Sequence, residues 1–192
     1  MLDDREIIHR CRGGQRHLLD MLIDRYKDAL YSLCMRLARN VHDADDLFQD
    51  TWVNVMRNLD TFSLERKFST WLFAVCINRY RDRYRWRKRW LRRIKDITSG
   101  RLIPGGIAGQ RDKSSCPQED FIRNEQMEAV RKKVDSLDDM HRLPIIFFYF
   151  HELSVEEIGR ILEIPQGTVK SRLSRGRKII KELMEGAGHG ES

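Results

Sequence analysis

Several common signals are missing from this chain, and each absence removes a class of protein. The 4 cysteines among 192 residues stand at 11, 34, 76 and 116 without paired spacing, and the histidines do not gather beside them. Neither a zinc site nor a disulfide framework is suggested, and a reducing cytoplasmic setting is expected. No apolar run approaches the length of a membrane span, and residues 1–16 are too charged for a signal peptide, so no membrane insertion is expected. Strand signals are nearly absent as well. The run from Ile145 to Phe150 would pass for a buried strand in isolation, but no second candidate exists to pair with it. What remains is an all-α expectation for a chain long enough to hold one medium domain or two small ones.

Positive charge is not lacking. Lys and Arg number 36 against 29 acids, a formal net charge of +7, which points to a polyanionic partner. Its placement says more than its total. Between Phe68 and Lys95 an aromatic, uncharged start runs into ten Lys or Arg with one acid, Asp82. On a 3.6-residue wheel Phe73, Cys76, Ile77, Tyr80 and Tyr84 share one side, and Asn78, Arg81, Asp82, Arg85 and Arg89 share the other. One side packs and the other faces a partner. Guanidinium groups interleaved with Tyr80, Tyr84, Trp86 and Trp90 suit a phosphate chain whose unstacked bases can lie on aromatic faces.

Upstream, Leu19, Leu22, Ile23, Tyr26, Leu30, Leu33, Cys34 and Leu37 repeat at helical spacing and predict an amphipathic helix over about 16–39. A second helix follows, with Asp43 predicted as its N-cap and Asp45 and Asp46 favourable at its positive end. Its apolar side comprises Ala44, Leu47, Phe48, Val55 and Leu59. The other side shows Asp46, Gln49, Asp50, Val53 and Arg57, an acidic patch with an apolar residue in the open, which favours a separate protein partner. A magnesium site is a weaker reading of the same acids, because residues 43, 45 and 46 point in different directions and only Asp46 and Asp50 share a face.

From Ile97 to Glu119 Gly, Pro, Ser and Thr replace any hydrophobic period, which predicts a flexible linker; Cys116 within it is read as incidental. A second domain begins near Phe121. Phe121, Ile122, Met127, Val130, Val134 and Leu137 outline one helix, and Pro144 is predicted in the first turn of the next. Ser154-Val155-Glu156-Glu157 is a capping box opening a short helix with Ile158, Ile161 and Leu162 inward. Residues 163–167 make a turn, and Thr168 or a neighbour caps a last helix. In that helix Val169, Leu173, Ile180, Leu183 and Met184 pack, while Thr168, Lys170, Ser171, Ser174, Arg175 and Lys178 point outward. The pattern is a helix-turn-helix with a basic reading face. Gly176 is out of place in mid-helix unless something packs close to it.

These stretches carry a resemblance. Asp45-Asp46-Leu47-Phe48-Gln49-Asp50, then Phe68-Ser69-Thr70-Trp71-Leu72, then Asn78, Asp82 and Arg85, resemble region two of a bacterial sigma factor of the extracytoplasmic-function (ECF) group, over about residues 18–90. Gly167-Thr168-Val169-Lys170-Ser171-Arg172-Leu173 resembles the region-four recognition helix, over about 125–184. The resemblance implies a region-two domain at 1–96, a linker at 97–119 and a region-four domain at 120–192 with a disordered tail. It implies core RNA polymerase docking through Asp46, Gln49, Asp50, Trp52 and Met56. Recognition and opening of the promoter −10 element would fall to the loop Thr61–Lys67 with Phe68, Ser69, Thr70, Trp71, Asn78, Asp82 and Arg85, where Asp82 orients the arginines. The −35 element would be read by Thr168, Lys170, Ser171, Arg172, Ser174, Arg175 and Lys178. An anti-sigma protein is the further partner it implies; no catalytic residue, metal or cofactor is expected.

Two other readings stay open on the sequence alone. A self-sufficient DNA-binding regulator would bind its operator tightly without polymerase. A nuclease or recombinase would cut promoter-free DNA with magnesium and depend on Asp50.

Overall fold

The computed structural model of the chain describes residues 2–38, 40–98, 130 and 132–185, with 86–98 as backbone alone. Most of the expected linker, Cys116, the expected helix before residue 130 and the tail from 186 lie outside the described residues, as do the side chains of Trp86, Arg89 and Trp90. Every regular element among the described residues is helical: α1 Asp4–Arg12, a 3-10 turn Arg16–Leu18, α2 Leu19–Leu37, α3 Val41–Asn58, a 3-10 turn Leu59–Thr61, α4 Phe68–Thr98, α5 Asp139–Phe150, α6 Val155–Leu162 and α7 Gln166–Glu185, together with the helical residues 132–136, where Val134 and the following Leu137 are buried. They divide between two compact units, α1–α4 and α5–α7. No described helix is long and apolar enough to cross a membrane.

In the first unit, α1 is an element that the periodicity reading passed over. Asp3 caps it by accepting the N–H of Glu6 at 2.7 Å, and Ile7 and Ile8 are fully buried with Cys11 at 4% exposure. A helix of 9 residues holds too few turns to form by itself and depends on that buried stripe. α2 buries Leu22, Leu30, Leu33, Cys34 and Leu37, matching its expected apolar face apart from Ile23 and Tyr26, which are half-buried. The thiols of Cys34 on α2 and Cys76 on α4 lie 3.8 Å apart, a packing contact well beyond bond length. The hydrogen bond with Cys76, together with burial, pushes the Cys34 thiol upward and keeps it protonated.

α3 is capped by Asn40, not by Asp43. The Asn40 side chain, on an extended backbone, accepts the N–H of Asp43 at 2.8 Å, so the helix starts three residues earlier and Asp43 sits in its first turn. Amide and carboxyl side chains cap equally well, and local sequence alone does not separate the two positions.

In the second unit, α5 begins at Asp139 with Asp138 as N-cap, so Pro144 lies inside the helix and not in its first turn. The proline removes a bond to the carbonyl of Met140, a residue 49% exposed where water can take the donor's place. The expected capping box is present: Ser154 and Glu157 exchange backbone and side-chain hydrogen bonds at the start of α6. α6 ends at Glu163 in the left-handed region, φ 59°, and the N–H of Ile164 returns to the carbonyl of Gly159 at 3.0 Å. α7 then opens at Gln166, with the Pro165 carbonyl accepting the N–H groups of Thr168 and Val169; Thr168 is therefore inside the helix and not at its cap.

Two glycines answer to close packing. A Cβ on Gly176 would stand 3.2 Å from Ile145 Cγ1 and 3.5 Å from His141 Cβ, so α5 is the neighbour that excludes the expected alanine. A Cβ on Gly159 would meet the Ile164 carbonyl oxygen at 2.9 Å, and that oxygen is backbone in the turn between α6 and α7. Gly159→Ala is expected to destabilise the second unit by about 1–3 kcal/mol, measured as a lowered midpoint in thermal unfolding followed by circular dichroism.

Candidate functional site

The first unit presents its chemistry along two neighbouring helices. α3 turns Ala44, Leu47, Thr51, Trp52, Val55 and the following Leu59 into the core, a wider stripe than the sequence pattern suggested. Thr51 is accommodated because its hydroxyl donates to the Leu47 carbonyl at 2.7 Å. Asp46, Gln49, Asp50 and Met56 lie outward as expected, with Val53 and Arg57 beside them. Trp52 does not join them. It is 4% exposed and packs edge-on against Phe48 at 6.4 Å, so it supports the face from beneath.

The acids of α3 are not bare. Arg83, from α4, reaches across to Asp46 at 3.1 Å and Asp50 at 3.2 Å, and also donates to the Asp43 carbonyl at 3.4 Å. Asp46 and Asp50 are one helical turn apart, so one guanidinium can span both. All three side chains are more than a third exposed, and in water such a bridge contributes about 0–1 kcal/mol. It orders the carboxylates more than it stabilises the fold. The expected stripe of free cations thus contains one arginine already engaged with the acidic face.

On α4, Leu72, Phe73, Cys76 and Ile77 are buried, while Asn78, Asp82 and Arg85 are exposed. Asp82 pairs with Arg79 at 3.2 Å and with Arg85 at 3.6 Å. Tyr84, expected on the packed side, is 50% exposed. The reason lies in where α3 begins: Arg83 already meets the first turn of α3, so α4 has little of α3 left beyond it to cover Tyr84.

At the start of α4 the expected base-contacting segment divides. Phe68 and Thr70 are 2% and 7% exposed, and Ser69 and Trp71 are half-buried. Phe68 belongs to an aromatic cluster with Tyr26 at 5.3 Å, Phe62 at 5.8 Å and Trp71 at 5.8 Å, and Trp71 also rests on Phe62 at 5.0 Å. Phe68 and Thr70 are therefore largely buried by packing in the free chain. Trp71 keeps a partly open side above the cluster, next to the exposed Glu65, Arg66 and Lys67.

In the second unit, α6, the turn and α7 form the expected helix-turn-helix. Val169, Leu173 and Gly176 face inward, and Lys170, Ser171, Ser174, Arg175 and Lys178 are exposed, with Thr168 and Arg172 half-buried at the margin. The Ser171 hydroxyl donates to the Thr168 carbonyl at 3.0 Å, and Arg177 folds back onto the Leu173 carbonyl at 3.3 Å. Leu183 and Met184, expected to pack, are 40% and 48% exposed.

An acidic face, a cationic helix that begins in aromatics and a separate helix-turn-helix define a DNA-binding transcription factor with a protein partner. Two family models match the chain, Sigma-70 region 2 over residues 22–91 and Sigma-70 region 4 over residues 127–180. The ECF RNA polymerase sigma factor SigW of Bacillus subtilis is 34% identical, covering 92% of this chain and 94% of its own length. The ECF RNA polymerase sigma-E factor of Escherichia coli K12 is 27% identical over 96% of this chain and 95% of its own. The solved structure of the sigma factor RpoE in complex with the anti-sigma factor NepR, from Bartonella quintana, shares the fold with a TM-score of 0.68 at 23% identity, covering 87% of this chain and 96% of that one. The chain belongs to the ECF sigma factors, which bind core RNA polymerase and direct it to specific promoters for transcription initiation.

Burial separates two residues of α3 that the sequence grouped together. Trp52→Ala is expected to cost about 3–5 kcal/mol of unfolding free energy. Met56→Ala, on a side chain 45% exposed, is expected to cost no more than about 0.5 kcal/mol; denaturant titration of the two variants checks both.

Proposed function

We propose a division of labour in which each exposed face serves one step of initiation. Asp46, Gln49, Asp50 and Met56 on α3 dock on core RNA polymerase. The loop 61–67 with Ser69 and Trp71 captures bases of the −10 element as the strands part, and Asn78 and Arg85, the latter oriented by Asp82, hold the adjoining backbone. Lys170, Ser171, Ser174 and Arg175 read base edges of the −35 element, while Thr168, Arg172 and Lys178 contact phosphates. Residues 1–96 and 120–192 act as the two binding domains, with 97–119 joining them in the cytoplasm. The chain supplies no catalytic group; nucleotide chemistry belongs to the polymerase. An anti-sigma protein that covers these faces is the regulatory partner, as NepR is for the related RpoE.

The observation that carries this reading is the meeting of opposite faces in one small unit: Asp46 and Asp50 exposed on α3 beside the exposed Arg85 and the half-buried Arg79 and Arg81 on α4. A polyanion repels the first and attracts the second, so the two serve different partners. An aromatic face that receives an unstacked base recovers about 1–3 kcal/mol, which offsets part of the melting cost.

Sequencing transcripts made in vitro by core polymerase with and without this protein tests the whole. New, shared start sites with a common upstream pattern are expected, and unchanged initiation would refute it. Asp50→Ala is expected to weaken core binding at least about tenfold and leave −35 selectivity of the assembled enzyme intact. Arg175→Ala should do the reverse, lowering −35 discrimination by about tenfold to a hundredfold at unchanged core affinity; both are read by competition binding and by transcription from −35 variants. Trp71→Ala should form closed complexes normally yet leave −10 thymines protected from permanganate.

A further inference from the structure

We propose that Arg12, the last residue of α1, is a positioning residue for strand opening: it holds the base of the loop before α4 in the shape that presents Trp71. The inference rests on the assignment of that loop and Trp71 to the −10 element. Arg12 lies 47 residues from its first partner in sequence. Its Nη2 and Nε donate to the Leu59 carbonyl at 2.8 and 3.2 Å, and Nη2 donates also to the Phe62 carbonyl. Leu59 and Phe62 bracket the 3-10 turn Leu59–Thr61, where the Leu59 carbonyl also accepts the N–H of Phe62 at 3.2 Å and the negative end of the turn attracts a cation. A guanidinium fork reaches both carbonyls at once, and hydrogen bonds from a charged donor are about twice as strong as neutral ones.

What the fork holds is the platform of the candidate base-binding residue. The Phe62 ring is 3% exposed and lies 5.0 Å from Trp71 and 5.8 Å from Phe68. Fixing the Phe62 backbone therefore fixes the surface on which Trp71 rests, and with it the entry of the loop at Ser63. α1 reaches the same cluster by a second route. Asp4, in its first turn, accepts from Arg25 and from the Tyr26 hydroxyl, and Tyr26 packs on Phe68 at 5.3 Å.

The helix itself is well anchored for the task. Ile7 and Ile8 are fully buried, and just beyond Arg12 the chain turns sharply at Gly13 and Gly14, where Gly14 takes φ 101° and the N–H of Gln15 returns to the Arg10 carbonyl at 3.1 Å. Both ends of α1 thus converge on the aromatic cluster. A residue needed for packing alone would affect docking and opening together. A residue that shapes the loop would affect opening and −10 discrimination only.

The full chain with core polymerase, on a promoter found by transcript sequencing, separates these cases. Arg12→Met keeps the apolar stem and removes the fork. It is expected to leave core affinity within about twofold and to lower permanganate reactivity of −10 thymines, and discrimination between −10 variants, by about tenfold. Arg12→Lys, able to reach one carbonyl but not to fork across both, should restore part of that loss. Normal opening by Arg12→Met, an equal loss of docking and opening, or a lysine variant no better than methionine would each overturn the proposal. Trp71→Ala, run in parallel, tells the two levels apart. If it opens strands normally, the assignment of the loop fails and the inference with it; if it is defective while Arg12→Met is normal, the inference alone fails.

Discussion

The first unit depends on α3 lying along α4 in the opposite direction. At one end the first turn of α3 meets Arg83 through the Asp43 carbonyl; at the other, the turn after α3 brings Phe62 against Trp71. Everything exposed on these helices is placed by that contact. The carboxylates of Asp46 and Asp50 gather near Arg83, and the aromatic platform forms twelve residues away along α4, about 18 Å at helical rise. The acidic face and the aromatic platform then sit on one pair of helices without overlapping. The buried residues Leu72, Phe73, Cys76 and Ile77 hold α4 in place.

The second unit solves a different problem with fewer residues. α6 must stop abruptly so that α7 can cross it, and Glu163 accepts a left-handed backbone to end it, at a cost of about 1–2 kcal/mol for a residue with a Cβ. Close approach offsets that cost. Gly159 lets the turn fold back on α6, and Gly176 lets α7 lie against Ile145 and His141 of α5. The outcome is a reading helix whose buried side is held at three positions, Val169, Leu173 and Gly176. Lys170, Ser171, Ser174 and Arg175 between them are left exposed.

The legible part of the site was the part written in charge and period. Asp46, Gln49, Asp50, Asn78, Asp82 and Arg85 lie outward where the wheel put them, and so do Lys170, Ser174 and Arg175. Trp52, Phe68 and Thr70 were misplaced for a common reason. Large aromatics and small hydroxyls occur on either side of an amphipathic helix, and only the neighbours decide which. Phe68 is claimed by Tyr26 and Phe62, residues from other segments. Arg83 looked like one cation among many, and its pairing with acids more than thirty positions away has no local signature. Arg12 was invisible for the same reason, since its partners are backbone carbonyls 47 and 50 residues on.

By itself the amino-acid order determined that the segments other than α1 are helical, which sides of them are largely apolar, and that cationic and acidic surfaces are concentrated on different helices. These properties come from i, i+3 and i+4 spacing and from caps such as Ser154 with Glu157, interactions within a single turn or two. The tertiary structure alone decided how wide each buried stripe is, which aromatics support the surface instead of forming it, and which charges are already paired. Those outcomes depend on the width and direction of neighbouring helices, and a residue's burial is a property of what another part of the chain places against it.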